Sequence, residues 1–106
     1  MKKFVPVEDL EPILLDKVSY DGLRLKFKRP HYVTPQYLST EEEGFYTVFI
    51  PDFNIELCEP TLDKLKAAIN EQVAYLWREF VCEDETHLTD KALLFRKSVI
   101  DAIEED

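Results

Sequence analysis

Four side chains in this sequence have the chemistry to bind a metal or attack a substrate: His31, Cys58, Cys82 and His87. Structural zinc sites bring their donors in close pairs such as C-x2-C, because one short turn must aim two ligands at one ion. Here the nearest two, Cys82 and His87, are separated by four residues, and Cys58 lies within a predicted strand. The spacing therefore argues against a metal site, and Cys58 and Cys82 are expected to be small buried hydrophobes. A covalent enzyme needs Cys or Ser beside a base and an oxyanion pocket, usually built on a glycine-rich or elbow-shaped turn. The chain has only Gly22 and Gly44, both in predicted turns. Glu83-Asp84-Glu85 offers carboxylates for acid and base work, but a run of charge of this kind reads as a solvated loop. No catalytic residue, cofactor or metal is expected, and the chain reads as non-enzymatic.

Basic residues form the more singular pattern. The formal net charge is −9, from 22 acidic against 13 basic residues, which repels nucleic acid and anionic membrane surfaces and favours a basic partner. Against that background Leu23, Leu25 and Phe27 alternate with Arg24, Lys26 and Lys28. A strand of period two sends the first set to the core and the second to water. The basic set has two readings. Lysines on an edge strand discourage pairing with other molecules; side by side on one face, they also make a docking stripe for an acidic segment or for nucleic-acid phosphates. Val81 to Asp106 carries eight acids against Lys91, Arg96 and Lys97, so the chain is electrically polar along its length.

A second candidate surface is Tyr75, Trp77, Arg78 and Phe80. Aromatic clusters near a helix end usually pack against a second element. Where they are exposed they anchor interfaces, since Trp, Tyr and Arg dominate binding hot spots, and a homodimer is one such use.

The elements that must position these residues follow from periodicity and punctuation. Ile13 to Tyr20, then the turn dipeptide Asp21-Gly22, then Leu23 to Arg29 predict a hairpin. Pro30 and Pro35 bracket His31 to Thr34, which suits an edge or irregular strand because proline cannot donate to a ladder. Ser39 to Gly44 reads as a loop. Phe45 to Ile50, the turn Pro51 to Asn54 and Ile55 to Glu59 predict a second hairpin. Pro60 stops the strand, Thr61 caps a helix, and Leu62, Leu65, Ile69, Val73, Leu76 and Phe80 recur at steps of three or four along one stripe. Thr89 caps a last helix, with Leu88 and Leu93 placed as a hydrophobic staple and Ala92, Phe95, Val99 and Ile103 as its apolar stripe. Its final residues, Glu104-Glu105-Asp106, should fray, because acids at a helix C-terminus oppose the macrodipole. Phe4 to Pro12 reads as an extended entry segment that folds back over a sheet edge.

These elements predict an α+β fold in one domain over residues 1–106: an antiparallel sheet of three to five strands, a long helix packed across it over about 61–81, and a C-terminal helix over about 89–104. No apolar run reaches the roughly 18 residues of a membrane span, and two cysteines are too few for a disulfide scaffold, so a cytoplasmic protein is expected.

Phe45-Tyr46-Thr47-Val48 before Pro51-Asp52, then Cys58-Glu59, then Thr61-Leu62 opening a helix with Leu65, Ala68 and Ile69, resembles the core of the HicB-like antitoxins over residues 45–76. The resemblance implies a double-stranded-RNA-binding-like sheet with a helix across it, and a protein that neutralises a small toxin. The chain departs from that pattern in having no glycine before Cys58, Lys64-Leu65 where a Glu-Ala pair is usual, and one helix over Thr89 to Glu105 instead of a DNA-binding segment. Tyr75 to Phe80 followed by Leu88-Thr89 and a last helix is also similar to small uncharacterised bacterial proteins. The functional expectation is a protein-interaction module that binds another protein, a basic toxin in the antitoxin reading, or itself as a homo-oligomer. Nucleic-acid binding through Arg24, Lys26 and Lys28 is the alternative.

Overall fold

The computed structural model of the chain describes residues 10–106 and the backbone of Val5–Pro6. The part of the entry segment at residues 1–4 and 7–9 lies outside the described residues. The fold is α+β, with two antiparallel sheets instead of one. Strands β1 (Val5–Pro6), β4 (Gln36–Ser39), β5 (Gly44–Ile50) and β6 (Ile55–Glu59) form the first sheet in that spatial order. The second has the order β2 (Ile13–Tyr20), β3 (Leu23–Val33) and β7 (Ile103–Glu105). Helix α1 (Leu62–Leu76) runs on into a π-helical turn over Trp77–Val81, and α2 (Asp90–Ala102) follows.

Both predicted hairpins form. Asp21 and Gly22 take φ of 50° and 81°, the left-handed conformation that a two-residue turn needs to match strand twist. β3 runs longer than its predicted span because a bulge absorbs Pro30: Lys26 pairs with Lys17 and His31 with Leu15, leaving the residues between them to oppose Asp16 alone. Proline thus sits where no ladder bond is needed. Gln36–Ser39 pairs with Gly44–Thr47 as β4 against β5, so of the segment read as a loop only its end residues, Ser39 and Gly44, join strands. Thr40 Oγ1 accepts from the backbone N–H of Glu42 and Glu43, which tightens the remaining turn. Gly44 is required there, because a Cβ would collide with the Tyr37 ring.

Helix α1 joins the two sheets. Thr61 Oγ1 accepts from the Lys64 N–H at 3.1 Å, as a cap should. The predicted stripe is buried at Leu65, Ile69, Val73 and Leu76, against Leu15 and Val18 of β2 and Val48 and Ile50 of β5. At Trp77 the Cys82 N–H bonds five residues back, to the Trp77 carbonyl, at 3.0 Å. The extra residue of a π turn rotates the following side chains, and Phe80 meets Phe95 of α2 edge-on at 4.8 Å. Thr89 caps α2 through the Ala92 N–H at 3.2 Å.

The C-terminus departs most from expectation. Instead of fraying, the chain turns extended at Ile103 (φ −132°, ψ 161°) and adds a strand to β3: Phe27 pairs with Ile103, Lys26 with Glu104 and Leu25 with Glu105. Acids do end the helix, in keeping with its macrodipole. They are then held by what lies beside them, the basic stripe of β3, while Ile103 is buried to 1% exposure. β3 is accordingly the central strand of its sheet, which removes edge protection as the reason for its lysines.

Candidate functional site

Three regions hold residues that sequence reasoning singled out, and a fourth comes from the structure. The first is the outer face of β3. Arg24, Lys26 and Lys28 project there together, with Lys17 of β2 opposite Lys26. Lys26 Nζ lies 3.6 Å from Glu104, and Lys17 Nζ lies 4.0 Å from Asp106. These pairs are exposed and contribute little to stability. Their importance is local: two carboxylates of the same chain stand in the stripe, so it is less electropositive than its sequence suggests.

The second is the end of α1, where helix geometry divides the predicted cluster. Trp77 is buried in the core with its Nε1 lacking a hydrogen-bond acceptor, and Phe80 is engaged by Phe95. Tyr75 and Arg78 face outward; Tyr75 is 52% exposed, and Arg78 Nη2 donates to the Asp21 carbonyl at 3.3 Å with the Asp21 carboxylate at 3.7 Å. Arg78 therefore ties the helix end to the first hairpin turn.

The third is a cleft of about 320 Å³ lined by Arg29, Asp52, Ser98, Asp101 and Ala102, where the β3 bulge, the β5–β6 turn and α2 meet. His31 stands beside Asp52, which brings a serine, a histidine and an aspartate into one neighbourhood. The arrangement is not a relay. His31 Nδ1 lies 2.9 Å from the Arg29 carbonyl and Nε2 lies 2.9 Å from Asp52 Oδ1. Nε2 is thus turned toward a carboxylate, and the Ser98 hydroxyl donates to the Leu94 carbonyl at 3.5 Å, so the serine–base contact that a nucleophile needs is not formed. Asp52 Oδ1 is buried and meets the His31 ring at ion-pair distance without a hydrogen bond.

The fourth was missed from sequence. On the four-stranded sheet Val48 and Ile50 face α1, so Thr47 and Phe49 face outward beside Glu56 and Cys58 of β6. Phe49 is 49% exposed, and Cys58 is exposed, not buried as expected. Cys82, also expected to be buried, is exposed beyond the π turn, where the chain leaves the helix. Partial desolvation, and after it the charges of Glu56, Glu59 and Glu43, push the Cys58 thiol above its ordinary range. Glu56, opposite Phe49 across the ladder, places a carboxylate beside this outward-facing aromatic ring. Its sequence signal was hidden because Phe45 to Ile50 is apolar at nearly every position, so period two could not tell the inner face from the outer.

Among the described residues no three His, Cys, Asp or Glu side chains gather as a metal site; His87 Nδ1 lies 2.9 Å from Glu83 Oε1 and His31 is held as above. Glu83-Asp84-Glu85 is exposed, with Glu85 reaching Arg96 of α2 at 2.9 Å. No helix among the described residues is long and apolar enough to cross a membrane. Comparison of the chain with protein-family models, curated proteins and solved structures yields no match.

Proposed function

We propose that this chain is a non-enzymatic protein-binding module, antitoxin-like in kind, that takes a basic partner protein on the outer face of its four-stranded sheet. One observation carries the reading: Phe49 stands half-exposed on the outer sheet face, directly opposite Glu56 of β6. An apolar anchor within a charged rim is how protein interfaces are built, with the aromatic residue supplying affinity and the rim supplying steering. The net charge of −9 favours the same class of partner, as does the resemblance of residues 45–76 to the HicB-like antitoxins. Chemistry at the Arg29 and Asp52 cleft is less well supported, because His31 Nε2 is turned to the Asp52 carboxylate and Ser98 donates to the Leu94 carbonyl. A phosphate arriving at Arg24, Lys26 and Lys28 would meet Glu104 and Asp106, which weighs against the nucleic-acid alternative.

The test is isolation of the tagged chain from its native host at its natural level, followed by reconstitution with the co-purified protein. A stoichiometric basic partner is expected, bound roughly thirtyfold more weakly by Phe49→Ala, the effect of losing a hot-spot aromatic, and more weakly in high salt. Recovery of the chain without a partner, or a partner indifferent to Phe49→Ala and to Glu56→Gln, would refute the assignment.

A further inference from the structure

Among the described residues the second sheet has an unpaired edge of unusual pattern. Its order is β2, β3, β7, so β2 is an outer strand with eight residues, Ile13–Tyr20. Outer strands are usually short or blunted by proline, charge or a bulge; β2 has no proline, and its only charges, Asp16 and Lys17, sit together at the register shift in its ladder with β3. A crevice of about 160 Å³ follows this strand beside Lys66, Ile69 and Asn70 of α1, and it is lined by every residue from Ile13 to Val18. Phe27 of β3 lines it too, so the crevice passes between β2 and α1 and reaches beneath the sheet.

The faces of β2 follow from its register with β3. Ile13, Leu15, Val18 and Tyr20 stand opposite Val33, His31, Leu25 and Leu23 on the core side, while Leu14, Lys17 and Ser19 stand opposite Tyr32, Lys26 and Arg24 on the outer side. Asp16 occupies the bulge. Read from either end toward the centre, the pattern is the same: core, outer, core, charge. The strand is palindromic about the Asp16-Lys17 bond, and the two central charges are opposite in sign.

We propose that β2 is a self-pairing edge at which two copies of the chain join antiparallel about a two-fold axis between Asp16 and Lys17, merging their two three-stranded sheets into one. In this register Ile13 lies against the partner's Tyr20, Leu14 against the partner's Ser19, Leu15 against the partner's Val18 and Asp16 against the partner's Lys17. Each pair shares a face, and the charges attract at both symmetry-related positions. Sliding the strands by one or two residues either way sets Leu15 or Val18 against a charged side chain, and at one residue it also brings like charges together. The bulge interrupts the ladder at the axis, and the two ion pairs occupy that gap. Leu14, 47% exposed in the single chain, gains cover from the second copy. This edge belongs to the other sheet from Phe49, so the inference does not depend on the partner proposed above.

Sedimentation velocity on the full chain should show a dimer that weakens with salt. D16K and K17D each replace two attractions with two repulsions and should weaken it on the order of thirtyfold. The double swap D16K/K17D should dimerise again, and a mixture of the two single variants should form a heterodimer. Cross-linking tests the register without altering charge: in a C58S/C82S background, L14C mixed with S19C should form an intermolecular disulfide on mild oxidation, while L14C alone should not. This arm decides the matter if circular dichroism shows that a charge variant fails to fold. A chain that stays monomeric at all concentrations, a dimer indifferent to both single swaps, or the absence of the mixed cross-link would overturn the proposal. So would a β2 edge that gains hydrogen-exchange protection only from an unrelated polypeptide.

Discussion

Replacing Ile103 with alanine separates a structural C-terminal strand from a fraying helix end. Ile103 is 1% exposed and sits opposite Phe27 on β3. Truncating a fully buried isoleucine removes its transfer free energy and leaves a cavity, a loss of about 2–5 kcal/mol. For a domain of this size about 3 kcal/mol is a large part of a total of roughly 5–15 kcal/mol. It corresponds to a fall in Tm of roughly 12–24 °C, or to a drop of about 1.5 M in the urea midpoint if m is near 2 kcal/mol/M. The sole tryptophan, Trp77, is buried in the same core, so its fluorescence reports the transition directly. Glu105→Ala is the control: its side chain is exposed and only its backbone pairs, so stability should move by no more than about 0.5 kcal/mol. If Ile103→Ala lost less than about 0.5 kcal/mol in urea titration, β7 would not be part of the folded core and the account of the C-terminus would fail.

Two further outcomes follow from local electrostatics. Cys58, although exposed, should alkylate with iodoacetamide at neutral pH more slowly than in the unfolded chain, because only the thiolate attacks and the site disfavours it; Glu56→Gln with Glu59→Gln should speed the reaction. Asp84 accepts hydrogen bonds from the Thr86 N–H and from its hydroxyl, each at 3.0 Å, and the backbone bond and then the side-chain bond hold its carboxyl below the ordinary aspartate range. A depressed folded value means that this cap is fully present above the unfolded aspartate range and is lost as pH falls through the folded value. Carbon-13 NMR of the Asp84 carboxyl should therefore show a midpoint below that of a free aspartate peptide, and Thr86→Ala should raise it.

Much of the fold was legible because its signals are local. Thr61 and Thr89 cap their helices, Asp21-Gly22 makes a tight turn, and Leu65, Ile69 and Val73 lie on the buried stripe of α1, since capping, turn conformation and periodicity act within a few residues. The fate of the cysteines was not legible. A small apolar residue in an alternating strand is compatible with either face, and Cys58 went outward because Leu57 and Val48 took the inner face with α1. The cluster at Tyr75 to Phe80 was read as one surface, but the helix and its π turn send Trp77 and Phe80 inward and leave Tyr75 and Arg78 outside.

By itself the sequence determined the class of the fold, the order of its main strands and helices, and an acidic molecule with one basic strand. Only the tertiary structure decided that this strand is central, that the acidic terminus returns to lie beside it, and that β2 is left with an unpaired edge among the described residues. The physical reason is the range of the forces involved. Caps, turns and stripes are fixed between neighbours in the chain. The pairing of Lys26 with Glu104, of Phe27 with Ile103, and the exposure of Phe49 and β2 depend on where the chain returns after more than seventy residues, which no local pattern encodes.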